Sequence, residues 1–153
     1  RLIKKNIKFE AVIVGKGVLK NNLIEYTKKH NIDKKIKFIN FKSNVYPLIK
    51  QADIFILSST FEGLPNVLLE ATALNKFIIS SNCPTGPKEI LLNGKGGLLF
   101  KVGDYKGLKK KIIYYFNNKK KCKLMLNNSI QKLDRFDENL NLKKYLGEVI
   151  KLM

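Results

Sequence analysis

Five short apolar runs, each closed by a turn and followed by a stretch with helical spacing, constrain this chain more than any other feature. They fall at residues 8–14, 35–39, 53–57, 76–80 and 97–100, and their β-branched and aromatic content reads as strand. The intervening segments place helices over 18–30 and 45–50, from the loop at 58–66 to about 75, and briefly up to 92. Asp104 is the expected N-cap of a further helix through about 117. Beyond it lie only helical patterns, around 120–133 and 139–151. Strands alternating with helices at this spacing make βαβ units, hence a doubly wound α/β domain with a parallel sheet and a helical C-terminal tail. The runs at 8–14 and 53–57 read as buried strands, the second on both faces. In such sheets ligands bind beyond the carboxyl ends of the strands, so the loops after Val14, Ile39, Leu57 and Ser80 are where chemistry is expected.

At 153 residues and 44% apolar the chain suits one core-forming domain and is too short for two nucleotide-binding-type domains. It opens on Arg1 and soon enters a strand, so the expectation is a piece of a longer protein. The net charge of +18 comes almost wholly from lysine, with arginine only at positions 1 and 135. Two readings stay open: lysines spread over solvated faces, or attraction to a polyanion such as nucleic acid, an anionic membrane face or phosphorylated substrates. The scarcity of the bidentate arginine fork argues against nucleic acid. Cys83 and Cys122 have neither metal-ligand spacing nor a disulfide framework, and His30 is the sole histidine, so no histidine triad or zinc cluster can form. No apolar run approaches the ~18 residues of a membrane span, and no signal peptide is visible. The expected compartment is cytoplasmic and reducing.

Gly15-Lys16-Gly17 follows a strand and opens a helix, yet it fails as a dinucleotide fingerprint. Lys20 stands where a third glycine belongs, and Asp33 precedes the next strand rather than ending it. What remains is either a tight turn close to a ligand or a structural turn. The loop Ser58–Asn66 is more informative. Pro65 suits a first helical turn, and the amides of Asn66 and Val67 then face the ligand edge from a helix N-terminus, where a phosphate is attracted. Glu70 lies beside the apolar face formed by Val67, Leu68, Ala71 and Leu74. A carboxylate there needs partners, and ribose hydroxyls would serve; an exposed edge position is the alternative. Glu62 is either a ligand-facing carboxylate or a loop charge. The turn Pro84-Thr85-Gly86-Pro87 could present amides to the same cleft or simply be rigid.

The string FEGLPNVLLEATALNKFIISSNCPTGPKEILLNGKGGLLF resembles the C-terminal domain of GT-B glycosyltransferases of the large retaining family 4. Glu62 and Glu70 match that family's Glu-x7-Glu motif. VIVGKG, KKIKFINF and QADIFILSS stand before it in order, and Gly96-Gly97-Leu98-Leu99 and Gly103-Asp104 after it, so the resemblance runs from about Phe9 to Tyr115. It implies a Rossmann-like donor domain, the C-terminal half of a GT-B fold, spanning residues 1–153. The acceptor-binding N-terminal domain would be missing, and the piece would be inactive alone. Glu62 would hold donor-sugar hydroxyls and Glu70 the ribose, while Gly63, Leu64, Pro65, Asn66 and Val67 would meet the sugar and diphosphate through their backbone. The turn at Gly15 and Gly17 would close on the donor, and Lys42 and Asn44 would touch the base. Two departures stand out. The upstream Arg and Lys that clamp the diphosphate have no dependable equivalents in Arg1, Lys4 or Lys5, and Asn40 replaces the glycine that usually precedes the base-contacting loop.

The implied reaction is transfer of a sugar from a nucleotide diphosphate, a UDP-sugar above all, to a glycan or lipid-linked acceptor with retention of configuration. It implies no metal or other cofactor: helix amides and basic residues supply the positive potential as charge develops on the departing diphosphate. No DxD motif occurs, and Asp53 reads as a strand-start residue. Rival readings are a GT-B-fold sugar-nucleotide epimerase and a non-enzymatic polyanion-binding module using basic faces such as Lys109–Lys111 and Lys119–Lys121. The same lysines could instead hold a transferase against the anionic inner face of a membrane.

Overall fold

The computed structural model describes Leu2 and residues 7–151, and the chain divides into two compact units, Arg1–Val45 and Tyr46–Met153. In the first, β1 (Ala11–Val14) and β2 (Ile36–Ile39) pair in parallel, with Ala11 opposite Ile36 and Val14 opposite Ile39. The connection is α1 (Lys20–Lys29), whose last turn carries Lys28 and Lys29, the sign that complements the helix dipole. A 3₁₀ turn at Asp33–Lys35 feeds β2.

The second unit holds α2 (Tyr46–Gln51), β3 (Ile54–Leu57), α3 (Asn66–Ala73), β4 (Phe77–Ser81), α4 (Pro87–Ile90) and β5 (Leu98–Phe100). Then come α5 (Tyr105–Asn117), α6 (Lys119–Ile130) and α7 (Glu138–Lys151). Its sheet is parallel, in the order β3-β4-β5, with Ile56 opposite Ile79 and Ile79 opposite Leu98. Parallel strands need crossovers, and α3 and α4 supply them. The Rossmann-like α/β class with a helical tail therefore holds, and helix 104–117 starts where expected: Asp104 Oδ1 accepts from the Gly107 amide at 2.8 Å.

The core gathers around β4, the one strand of this sheet with a neighbour on each side, and all of Phe77–Ser81 is buried. Leu68 and Ala71 of α3, Ile112 and Tyr115 of α5 and Cys122 of α6 are buried with it. Burial of each large aliphatic side chain contributes roughly 1.5–3 kcal/mol. The rings of Phe77 and Tyr115 stack at 5.2 Å. Gly97 has no room for a side chain, since a Cβ there would lie 2.9 Å from the Ile78 carbonyl oxygen and 2.9 Å from a Leu91 methyl.

Two expectations are corrected. Each unit carries one parallel ladder, β1-β2 in the first and β3-β4-β5 in the second. Accordingly β1 and β3 are edge strands of their ladders and are not fully buried: Val12 is 50% exposed, Ile13 45% and Ile56 39%. An apolar run identifies a strand, but burial on both faces also requires neighbouring strands and covering helices. The helix expected over 120–133 stops at Ile130, where the chain turns into a 3₁₀ segment at Leu133–Phe136.

Candidate functional site

Hydroxyl-bearing residues sit at the carboxyl ends of β3 and β4, and they organise the loops that follow. Ser81, buried at the end of β4, donates its hydroxyl to the Ser59 carbonyl at 2.6 Å. Ser59 in turn donates to Oε1 of Glu62 at 2.6 Å, the short length of a hydroxyl–carboxylate bond. The hydroxyl of Thr85 donates to the backbone carbonyl of Glu62. Gly86 takes the left-handed φ of +83°, and a Cβ there would lie 2.3 Å from Pro65 Cδ and 2.4 Å from the Gly63 carbonyl oxygen. The loop after β3 and the loop after β4 are thus packed and bonded into one body. Sequence reasoning placed Glu62 in this region but missed Ser59, Ser81 and Thr85; their signal was small hydroxyl residues at the ends of two strands and in the loops that follow.

Within that body Glu62 is half-buried, Gly63 and Leu64 are exposed, Pro65 is buried, Asn66 is exposed and Val67 is half-buried. Pro65 was expected in the first helical turn; it is the N-cap instead, since its ψ of 88° is not helical, and its carbonyl accepts from the Leu68 amide at 2.9 Å. No side chain caps this end of α3. The uncapped first turn is a region of positive potential beside exposed loop backbone. Glu70 lies on α3, half-buried, one position before buried Ala71, and among the described residues its carboxylate makes no hydrogen bond. The structure thus brings Glu62, Gly63, Leu64, Pro65, Asn66 and Val67 together at the entry to α3, with Glu70 along the same helix.

In the first unit the Gly15 amide donates to the Ile39 carbonyl at 3.0 Å, and the Lys20 amide to the Gly17 carbonyl at 3.1 Å. The ammonium of Lys20 donates to Asn40 Oδ1, and Lys16 lies 6.0 Å from the centre of the Phe41 ring. The two loops after β1 and β2 therefore meet, and a shallow cleft lined by Ile13, Gly15, Gly17, Leu23 and Phe38 lies beside them. Lys42 and Asn44 are exposed in the second of these loops. Arg1, Lys4 and Lys5 lie outside the described residues.

Among the described residues no three His, Cys, Asp or Glu side chains gather as a metal-binding group, and no helix is long and apolar enough to cross a membrane. Burial pushes the Cys122 thiol pKa up, against the opposing pull of Lys119 and Lys121.

Parallel strands, crossover helices and loops converging at the strand carboxyl ends are the architecture of a Rossmann-like ligand-binding domain. The chain belongs to a specific family of that class: the model of glycosyl transferases group 1 matches residues 1–132. An uncharacterised glycosyltransferase of Methanocaldococcus jannaschii is 38% identical over 91 residues, which cover 60% of this chain and 22% of that protein. A Campylobacter jejuni α-1,4-N-acetyl-D-galactosaminyltransferase, named for a diphospho-undecaprenol-linked glycan, is 33% identical over 135 residues, covering 88% of this chain and 36% of that protein. The crystal structure of HepE from Anabaena in complex with UDP matches 95% of this chain and 41% of its own, with a TM-score of 0.81 and 18% identity, a likeness of fold. The chain spans only about a fifth to a third of the length of these curated relatives, 22% and 36%.

Proposed function

We propose that this chain is the donor-binding part of a retaining glycosyltransferase that takes a UDP-sugar and delivers the sugar to a glycan or lipid-linked acceptor. The observation that carries the reading is the Ser59–Glu62 loop, fixed against the loop after β4 at the uncapped entry to α3. Such an entry suits a diphosphate, whose charge the first-turn amides and helix dipole would stabilise. Glu62 would accept hydroxyls of the sugar, Glu70 those of the ribose, and the backbone from Gly63 to Val67 would face the sugar and diphosphate. In the first unit Gly15 and Gly17 would approach the donor by backbone, and Lys42 and Asn44 would meet the base.

In the reaction the bond from the anomeric carbon to the diphosphate oxygen breaks, and a bond to the acceptor hydroxyl oxygen forms on the same face as that hydroxyl gives its proton to the departing diphosphate. The protein's contribution is to orient the donor and stabilise charge on the leaving diphosphate, without a metal. UDP as the nucleotide is supported by the UDP held in HepE. An N-acetylhexosamine and a lipid-linked acceptor are supported by the name of the Campylobacter jejuni relative.

The test is ligand-observed NMR with UDP, GDP, ADP and their sugar conjugates, on the wild type and on Glu70→Ala. Selective binding of UDP and its sugars, weakened in the variant, is the expected result. Silence of the full-length protein towards every nucleotide at millimolar concentration would refute the reading.

A further inference from the structure

Glu62 is a half-buried carboxylate at a loop position where a flexible side chain has several rotamers available. It does not stand alone. Ser59 Oγ occupies Glu62 Oε1 at 2.6 Å, while among the described residues Oε2 has no hydrogen-bond partner. Ser59 is held in turn by its own backbone, because Ser81 Oγ donates to the Ser59 carbonyl at 2.6 Å. Ser81 is fully buried and belongs to β4, the most enclosed strand of the sheet, so the chain of bonds starts from rigid structure. The hydroxyl of Thr85 fixes the Glu62 carbonyl from the other loop, so the residue is held both at its backbone and at one carboxylate oxygen.

We propose that Ser59, anchored by Ser81, is a positioning residue that sets the Glu62 carboxylate with one oxygen occupied and the other available to a single hydroxyl of the donor sugar. The inference rests on the donor-site reading above and goes further, since it assigns selectivity between sugar nucleotide and bare nucleotide to a residue that need not touch either. A carboxylate ordered before binding loses less freedom when the sugar arrives, and that gain is absent for a ligand that has no sugar. A hydroxyl–carboxylate bond is a charge-assisted one, strong enough to hold the preferred rotamer.

The experiment measures affinity of the full-length protein for UDP-N-acetylgalactosamine and for UDP, on the wild type, Ser59→Ala, Ser59→Thr, Ser81→Ala and Glu62→Ala. Ser59→Ala is expected to weaken the sugar nucleotide about fivefold to tenfold, the scale of one lost hydrogen bond, and to leave UDP unchanged. Ser59→Thr, which keeps the hydroxyl, is expected to restore most of the loss, and Ser81→Ala to reproduce part of it. On the Glu62→Ala background Ser59→Ala should add nothing, because the two act through one interaction. Equal weakening of both ligands in Ser59→Ala would show a merely structural serine and overturn the proposal, as would an additive double variant. A wild type that binds UDP but gains nothing from the sugar overturns it while leaving the nucleotide site standing; a wild type that binds neither overturns both.

Discussion

The phenol of Tyr115 on α5 donates a hydrogen bond to the backbone carbonyl of Asp53 at 3.0 Å, tying a covering helix to the residue that precedes β3. The ring itself stacks on Phe77 of β4, so one side chain joins both strands to the helix. Tyr115→Phe keeps the ring and removes the bond, and should cost about 1 kcal/mol. Tyr115→Ala also empties a core position and should cost about 3–5 kcal/mol. Urea unfolding of the two variants checks both values, and a Phe variant as damaged as the Ala variant would show that the hydroxyl, not the packing, dominates.

Gly86→Ala is expected to be far worse than an ordinary surface glycine change. The new Cβ would meet Pro65 and the Gly63 carbonyl at 2.3 and 2.4 Å, and φ would have to remain at +83°. Overpacking of this kind costs roughly 1–3 kcal/mol, and backbone strain adds to it. Since the contacts are with the Glu62 loop, amide shifts in an NMR spectrum should concentrate at residues 59–67. Gly147→Ala, which meets nothing within 4 Å, is the control.

Most of the fold was legible because period and punctuation agree along the chain. Runs such as Ile54–Leu57 and Phe77–Ser81 are bounded by turn residues, and Asp104 caps the helix that its position announces. Pairing was less legible: Val12, Ile13 and Ile56 look like core residues in the string, but exposure depends on which strands lie beside them. For the candidate site, Glu62 and Glu70 are singled out by their Glu-x7-Glu spacing read through the family resemblance. The bonds from Ser81 to Ser59 and from Thr85 to Glu62 join residues more than twenty positions apart, which no local pattern reveals.

Cys122 should react slowly with iodoacetamide in the native protein. Its side chain is buried, and its pKa lies above the ordinary 9.0 because burial disfavours the thiolate. The sign follows for stability: a raised folded pKa contributes stability that is fully present below the unfolded value near 9.0 and is lost as pH rises through the folded value. Cys122→Ser should therefore flatten the alkaline limb of a stability-versus-pH curve. Alkylation as fast as in urea would contradict this.

The lysines of α5 and α6 lead to a separate expectation. Lys106, Lys110, Lys120, Lys121 and Lys123 are exposed, and Lys119 lies 4.2 Å from the centre of the Tyr115 ring. Each exposed lysine near an anionic bilayer contributes about 1 kcal/mol of attraction, screened by salt. Co-sedimentation with vesicles should rise with the phosphatidylglycerol fraction, fall with added salt, and weaken in Lys120→Glu/Lys121→Glu. Binding indifferent to anionic lipid would sink the membrane reading of these lysines.

Glu62 and Glu70 should separate cleanly in a binding experiment, because the roles proposed for them fall on different parts of one ligand. Glu70→Ala removes the acceptor for ribose hydroxyls, which UDP and every UDP-sugar share, so both should weaken by about tenfold, the scale of one or two hydrogen bonds. Glu62→Ala removes the acceptor for sugar hydroxyls, so the UDP-sugar should weaken while UDP stays near the wild-type value. In turnover by the full-length protein, Glu62→Ala should lower kcat more than it raises KM, since misplacing the sugar acts on the reacting geometry. Titration calorimetry with the two ligands and steady-state kinetics supply the four numbers needed. A Glu62 variant that loses UDP and UDP-sugar in equal measure would reverse the assignment and move the sugar contact elsewhere in the loop.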